Sequence, residues 1–258
     1  MARSNPMLIE RWKDGLFESI EEEVVEEVPL TIYVNEREVV TLLSLGEYME
    51  ELAVGFLRSE GFFSSKDELI GVEVKDGIAR VAIDRDTALV EKLMEKRTVT
   101  TGCGKGTSFY HPLDGLRVKE VTAKVTFSPE GILARMAELE GKSELYKRTG
   151  GTHNCSLATE ERTLIFRSDI GRHNAVDMLG GRAFMDGTAL DDVALFTSGR
   201  VSSEILLKCA KMGVAMLVSR SAPTSLALKI AGEVGVTIVG YARGRKFNIY
   251  THAERIAR

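Results

Sequence analysis

The sequence predicts an α/β protein in two parts, a smaller N-terminal α+β unit and a larger C-terminal α/β unit. Three observations lead there. Between Val193 and Val239, short apolar runs alternate with amphipathic stretches across short connections. In the first hundred residues the strands instead come in pairs joined by turn dipeptides. The 258 residues are 44% hydrophobic and 28% charged, enough apolar mass for one large core or two modest ones.

Residues 1–25 are polar and end in the acidic run Glu21, Glu22, Glu23, which reads as a solvated arm. Residues 26–127 carry the α+β pattern. Val28 to Val34 and Glu38 to Leu43 alternate apolar and polar about a turn at Asn35-Glu36. Leu52, Phe56 and Leu57 mark a helix from Glu47 to Ser59, closed by Gly61. Val72 to Lys75 and Ile78 to Ile83 flank Asp76-Gly77, a dipeptide suited to a type I′ turn. A helix is expected from Asp86 to Lys96 and a strand near Val118 to Val125, with the boundary at Phe127.

Residues 128–258 change rhythm. Ser128-Pro129 opens a helix through Glu140, because proline suits the first helical position, and Gly141 stops it. Strands at Val193 to Thr197, Val214 to Ser219 and Val236 to Val239 are separated by helices at Ser202 to Met212 and Pro223 to Val234, and a last strand covers Phe247 to Thr251. Strand–helix–strand units with short connections imply right-handed crossovers and a mainly parallel sheet.

The net charge of −4 gives no global attraction for nucleic acid or acidic membranes, so any anionic ligand must be met by a local basic cluster. Met1 to Asp14 lacks the apolar core of a secretory signal, and no window approaches about 18 apolar residues, so no membrane span is expected. Cys103, Cys155 and Cys209 are odd in number, widely spaced and without a Cys-x-x-Cys pair. That argues against disulfides and structural zinc and for a cytoplasmic home.

In a parallel sheet, ligands gather where strands end and helices begin. Thr197-Ser198-Gly199-Arg200 is such a junction: Gly199 permits close backbone approach, Ser198 offers a hydroxyl, and Arg200 a two-pronged donor for phosphate. Ser219-Arg220-Ser221-Ala222-Pro223-Thr224-Ser225 is another. Gly240-Tyr241-Ala242-Arg243-Gly244-Arg245-Lys246 sets three cations and an aromatic between glycines, suited to a polyanionic nucleotide with a base to stack, or else to a solvated β-turn. Asp169 or Gly171 can start a helix whose first turn presents Arg172, His173 and Asn174, more polar density than capping needs. His153, behind the pair Gly150-Gly151, is either a ligand contact or a structural histidine.

Thr100-Thr101-Gly102-Cys103-Gly104-Lys105-Gly106-Thr107 places a cysteine between glycines in a polar loop. The thiolate is the reactive form, and a neighbouring Lys105 favours it. The glycines clear space for a partner's sulfur, though Gly-Cys-Gly also fits a plain tight turn. Cys209 lies mid-helix and reads as core, with Cys155 intermediate.

Taken together, Gly-Arg-His-Asn-Ala-Val-Asp at 171–177, Ser-Gly-Arg at 198–200 with Glu204 and Lys208, Ser-Arg-Ser-Ala-Pro-Thr-Ser at 219–225, and Gly-Tyr-Ala-Arg-Gly-Arg at 240–245 through Tyr250-Thr251-His252 resemble the FdhD family of formate dehydrogenase accessory sulfurtransferases. The likeness runs from Val28 to the C-terminus. It implies a cytidine-deaminase-like fold for the C-terminal unit and a homodimer. It also implies sulfur received as a persulfide from a cysteine desulfurase and passed to the molybdenum bis(molybdopterin guanine dinucleotide) cofactor, or its tungsten analogue, before insertion into the formate dehydrogenase catalytic subunit. By the same resemblance Cys103 is the persulfide carrier and Tyr241, Ala242, Arg243, Gly244, Arg245 and Lys246 are the cofactor-binding stretch, with Ser198, Gly199, Arg200, Arg220, Arg172 and His173 lining the pocket. Many family members carry Cys-Gly-x-Cys-Gly here, whereas this loop has one cysteine, so Cys103 must act alone or with Cys155.

Two other classes compete: a chaperone that binds the guanine dinucleotide cofactor without chemistry, and a guanine-nucleotide-binding regulator. Neither needs Cys103. A zinc deaminase is excluded, because the sole His-x-Glu, His252-Ala253-Glu254, has no cysteines after it, and no metal ligands are expected.

Overall fold

The computed structural model describes residues 4–85, 98–99, 107–108 and 120–258. β1 (Ser4–Lys13) and β2 (Leu16–Val25) pair antiparallel, forming a two-stranded sheet of their own. The residues expected to form a solvated arm are therefore a hairpin. Asp14-Gly15 makes its turn, both residues taking positive φ of 52° and 86°. The acidic run in β2 masks the strand pattern in the sequence.

β3 (Val28–Val34), β4 (Arg37–Ser44), α1 (Met49–Ser59), β5 (Leu69–Lys75) and β6 (Ile78–Ile83) follow as expected. The sheet order is β4-β3-β6-β5, with β3 and β6 parallel and the outer pairs antiparallel. Alternation sends Leu30, Ile32, Val34, Ala79, Val81 and Ile83 to one face, where Leu52, Phe56 and Leu57 of α1 and the buried Phe62 and Phe63 complete a core. Each such aliphatic side chain contributes roughly 1.5–3 kcal/mol by leaving water. The helix starts at Met49, two residues later than expected, because Tyr48 has a left-handed φ of 50°. β7 (Thr98–Val99) and β8 (Thr107–Ser108) pair briefly. The helix expected at Asp86 to Lys96, and Cys103, lie outside the described residues.

In the second half come α2 (Pro129–Lys142), α3 (Glu144–Thr149), β9 (His153–Ala158), β10 (Thr163–Asp169), α4 (Arg172–Asp186), β11 (Ala194–Thr197), α5 (Ser203–Lys211), β12 (Met216–Ser219), α6 (Ser225–Val234), β13 (Thr237–Arg243) and β14 (Lys246–Ile249). Ser128, Ser202 and Thr224 cap α2, α5 and α6 by accepting from Gly131, Ile205 and Ala227 N–H groups. The six-stranded sheet runs β10-β9-β11-β12-β13-β14. It is mixed, not mainly parallel: β11–β12 and β12–β13 are parallel, while β9, β10 and β14 pair antiparallel. The β9–β10 hairpin escapes sequence reading because β9 is buried almost throughout and shows no alternation. The strand expected near Val118 to Val125 is absent from described residues 120–126; there Val121 N–H donates to Val234 O at 2.9 Å, and Phe127 makes a single bridge to Ile256.

The two halves meet where α1 crosses α4. A Cβ on Gly55 would lie 1.8 Å from Asp177 O, and one on Gly181 1.9 Å from Glu51 O, so the helices touch backbone to backbone. Met178 of α4 sits in the N-terminal core. Among the described residues no helix is long and apolar enough to cross a membrane.

Candidate functional site

One edge of the six-stranded sheet collects the polar residues singled out above. Register fixes this: Asp169 pairs with His153, Thr197 with both Cys155 and Ser219, and Val218 with Val239. The carboxyl ends of β10, β11, β12 and β13 and the start of β9 therefore share an edge, and the loops at 170–172, 198–202, 220–224 and 244–245 all open onto it.

The loops hold one another. Ser198 Oγ accepts from Asn154 N–H at 3.0 Å, and Ser198 N–H donates to Asn154 O at 2.9 Å. Thr197 Oγ1 accepts from Gly199 N–H at 3.1 Å, and Ser219 Oγ donates to Gly199 O at 2.7 Å. Ser198 is therefore engaged with the backbone, a role that capping residues often play. Gly199 is needed for space: a Cβ there would lie 3.2 Å from Arg172 Cβ and Cδ and 3.6 Å from His153 Nδ1. This packs the β11 loop against the first turn of α4 and the start of β9.

In that first turn, His173 Nε2 lies 2.9 Å from Glu204 Oε2, joining α4 to α5. Behind them Asp169 is fully buried and accepts from Leu45 N–H (2.9 Å), Gly171 N–H (2.9 Å) and Asn174 Nδ2 (2.8 Å). Asn174 also donates to Leu43 O at 2.8 Å, so the loop after β4 helps to set the turn that carries Arg172 and His173. Burial, outweighing those three donors, pushes the Asp169 carboxyl up to about 6. Burial likewise lowers His153, with Arg172 and His173 adding to the effect. Asp169 was read from sequence only as a helix start; its role as a buried anchor depends on the Leu43–Leu45 segment, remote in sequence.

At the far end, Tyr241 takes a left-handed φ of 54° at a register slip between Gly240 and Arg243. Such a conformation costs an aromatic residue about 1–3 kcal/mol. Tyr241 N–H donates to Ser221 O at 3.1 Å, and a Cβ on Gly240 would meet the Tyr250 ring at 2.9 Å and Pro223 Cδ at 3.2 Å. The Arg243 guanidinium lies 5.9 Å from the Tyr241 ring. Tyr241, Arg243, Gly244, Arg245 and Lys246 are exposed, whereas Ala242 is fully buried and could offer a ligand only backbone. Arg200 is exposed; Arg220 is drawn aside, its Nε 3.0 Å from Glu140 Oε1 on α2. The edge thus combines guanidinium and ammonium groups with aromatic rings, a surface chemically suited to phosphates and a stacked base.

Two of the three cysteines are removed from this chemistry. Cys155 is fully buried, its Sγ donating to Thr197 Oγ1 at 3.3 Å, and burial pushes its thiol up to about 12. Cys209 is equally buried, its Sγ donating to Val214 O at 3.4 Å, and burial raises its thiol as well. Among the described residues no group of three His, Cys, Asp or Glu side chains could hold a metal ion.

The family model for FdhD/NarQ matches residues 25–257. Sulfur carrier protein FdhD of Bacillus subtilis (strain 168) is 40% identical over 248 residues, 95% of each chain. The protein of that name from Listeria innocua is 41% identical over 253 residues, covering 96% of this chain and 97% of its own. A crystal structure assigned as a formate dehydrogenase accessory protein from Desulfotalea psychrophila superposes with a TM-score of 0.83 at 27% identity, over 98% of this chain and 99% of that one.

Proposed function

We propose that this chain, which belongs to the FdhD/NarQ family, is a sulfurtransferase that carries a persulfide on Cys103 from a cysteine desulfurase to the bis(molybdopterin guanine dinucleotide) cofactor of formate dehydrogenase. The relatives are named sulfur carrier proteins, which supports sulfur carriage. One observation carries the choice of residue: Cys155 and Cys209 are sealed in the core with their thiols held protonated, which leaves Cys103.

In this reading the Cys103 thiolate attacks the terminal sulfur of the donor's persulfide. The donor's S–S bond breaks, its electron pair leaves on the donor thiolate, and Cys103 keeps the sulfur as its own persulfide. On delivery the new S–S bond breaks, its electron pair returns to the Cys103 thiolate, and the sulfur becomes a ligand of the acceptor's metal, which is formally oxidised by two electrons. Arg172, Arg200, Arg243, Arg245 and Lys246 hold the acceptor's phosphates and thereby fix where its metal sits, and Tyr241 stacks on a guanine. Arg220 joins them only if it leaves Glu140. The chemistry is the same for molybdenum and tungsten. The reading keeps the C-terminal unit as cytidine-deaminase-like and the protein as a cytoplasmic homodimer.

The test is mass spectrometry of the Cys103 peptide after incubation with a cysteine desulfurase and cysteine, with Cys103→Ala assayed for formate dehydrogenase activation. A sulfur adduct on Cys103, with activation lost in the variant, is expected. No adduct, with activation intact, leaves a cofactor-binding chaperone in its place.

A further inference from the structure

The hairpin β1–β2 presents apolar side chains that its own chain does not cover. It is anchored at its base, where Val25 lies against Gly151 and Glu23 Oε2 is 3.5 Å from Arg148 Nε on α3. Beyond the base, Met7, Leu8, Trp12, Leu16 and Phe17 are 53–79% exposed. Two strands alone make a marginal structure in water, so a hairpin of ten-residue strands needs something packed on it.

The register says which side is open. Cross-strand partners share a face, and Glu23 and Val25, which touch the body, share theirs with Trp12 and Phe17. The opposite face is turned away from the body and carries the pairs Met7–Glu22, Ile9–Ile20, Arg11–Glu18 and Lys13–Leu16. Its apolar members run along the middle, both of its cations are on β1, and both of its carboxylates are on β2. Arg11 Nη2 already reaches Glu22 Oε2 diagonally at 2.9 Å.

We propose that this face binds the same face of a second copy. A twofold axis parallel to the strands lays β1 of one hairpin over β2 of the other. Ile9 then meets the second copy's Ile20, and Arg11 and Lys13 come over its Glu18 and Glu22. The other simple twofold, with the axis across the strands, sets cations over cations and carboxylates over carboxylates. The two bodies lie on the outer sides of the stacked hairpins, because each anchors its hairpin through the opposite face. Charge complementarity thus selects a second copy and its orientation, giving a closed isologous pair.

The test is sedimentation equilibrium of the full chain. The wild-type chain is expected at twice its 28.4 kDa mass. Ile9→Glu with Leu16→Glu should raise the dissociation constant by roughly 100-fold or more, while Leu8→Glu with Phe17→Glu, on the other face, should leave it nearly unchanged. Because apolar substitutions can also fray a hairpin, a charge swap supplies the second arm. Arg11→Glu with Lys13→Glu should weaken self-association, and mixing it with Glu18→Lys/Glu22→Lys should yield a heterodimer. A monomeric wild-type chain, a dimer that survives Ile9→Glu/Leu16→Glu, or a mixture that forms no heterodimer would each overturn the proposal.

Discussion

The seam between the two halves and the strand-end edge use the same residue types to opposite ends. In the seam, Lys208 Nζ donates to both Asp177 oxygens at 2.7 and 2.8 Å and to Ser59 Oγ at 2.8 Å, and it lies 5.7 Å from the Phe56 ring. Nearby, Arg167 grips Glu51 with two prongs at 2.5 and 2.6 Å and lies 4.0 Å over Tyr48. These charges are buried and partnered, and they join α1 to α4, α5 and β10. At the edge, Arg200, Arg243, Arg245 and Lys246 stand in solvent and hold no element together. Where a cation is buried its partners decide the fold; where it is exposed it is available to a ligand.

The sharpest way to break this contrast is at the helix crossing. Gly55→Ala or Gly181→Ala drives a methyl into the facing backbone and should cost about 4 kcal/mol or abolish the soluble fold, read by thermal unfolding. A melting temperature within a few degrees of wild type would show that the helices can part without loss. Next, Asp177→Ala leaves the Lys208 ammonium buried without its carboxylate and should cost about 3–5 kcal/mol in urea unfolding. Pairing it with Lys208→Met should recover most of the loss; no recovery would mean that the pair matters for something besides charge compensation.

A third prediction concerns Asp169, between the two regions. Its carboxyl titrates near 6 when folded against an ordinary value near 3.8, so the folded protein holds that proton more tightly than the unfolded chain. Its contribution is complete below pH 4 and declines as pH rises through 6, by up to about 3 kcal/mol. Asp169→Asn should flatten that slope in unfolding measured from pH 4 to 7; an unchanged slope would point to other groups. The smallest effect on stability is expected at the edge. Arg243→Ala with Arg245→Ala should change unfolding by less than about 0.5 kcal/mol yet weaken GDP binding roughly tenfold at low salt. Loss of stability without loss of binding would reverse the roles assigned to seam and edge.

Much of the architecture is legible along the chain because its signals are local. Asp76-Gly77, Ser128-Pro129, Ser202 and Thr224 mark turns and caps within a few residues of where they act. The loops at 197–200, 219–225 and 240–246 are legible as phosphate-friendly for the same reason. The β9–β10 hairpin is not, since a strand buried on both faces shows no alternation. Nor is the split among the charged residues. Arg220 and Arg243 look alike in sequence, and only the approach of α2 gives Arg220 a carboxylate partner in Glu140. Cys155 looked intermediate between core and site; the neighbouring β11 and Thr197 decide that it is core.

The sequence by itself determined the element types, the strand–helix order of the second half, the basic loops, and the family through its ordered motif blocks. These depend on neighbours within a turn or two, so the linear chain holds them. The tertiary structure alone decided that two glycines 126 residues apart would let α1 and α4 touch. It also decided that Asp169 would be buried beneath the turn that carries Arg172 and His173, and that a hairpin would stand free with a charge-balanced face. Those outcomes depend on which distant side chains arrive to exclude water, and no local pattern encodes that arrival.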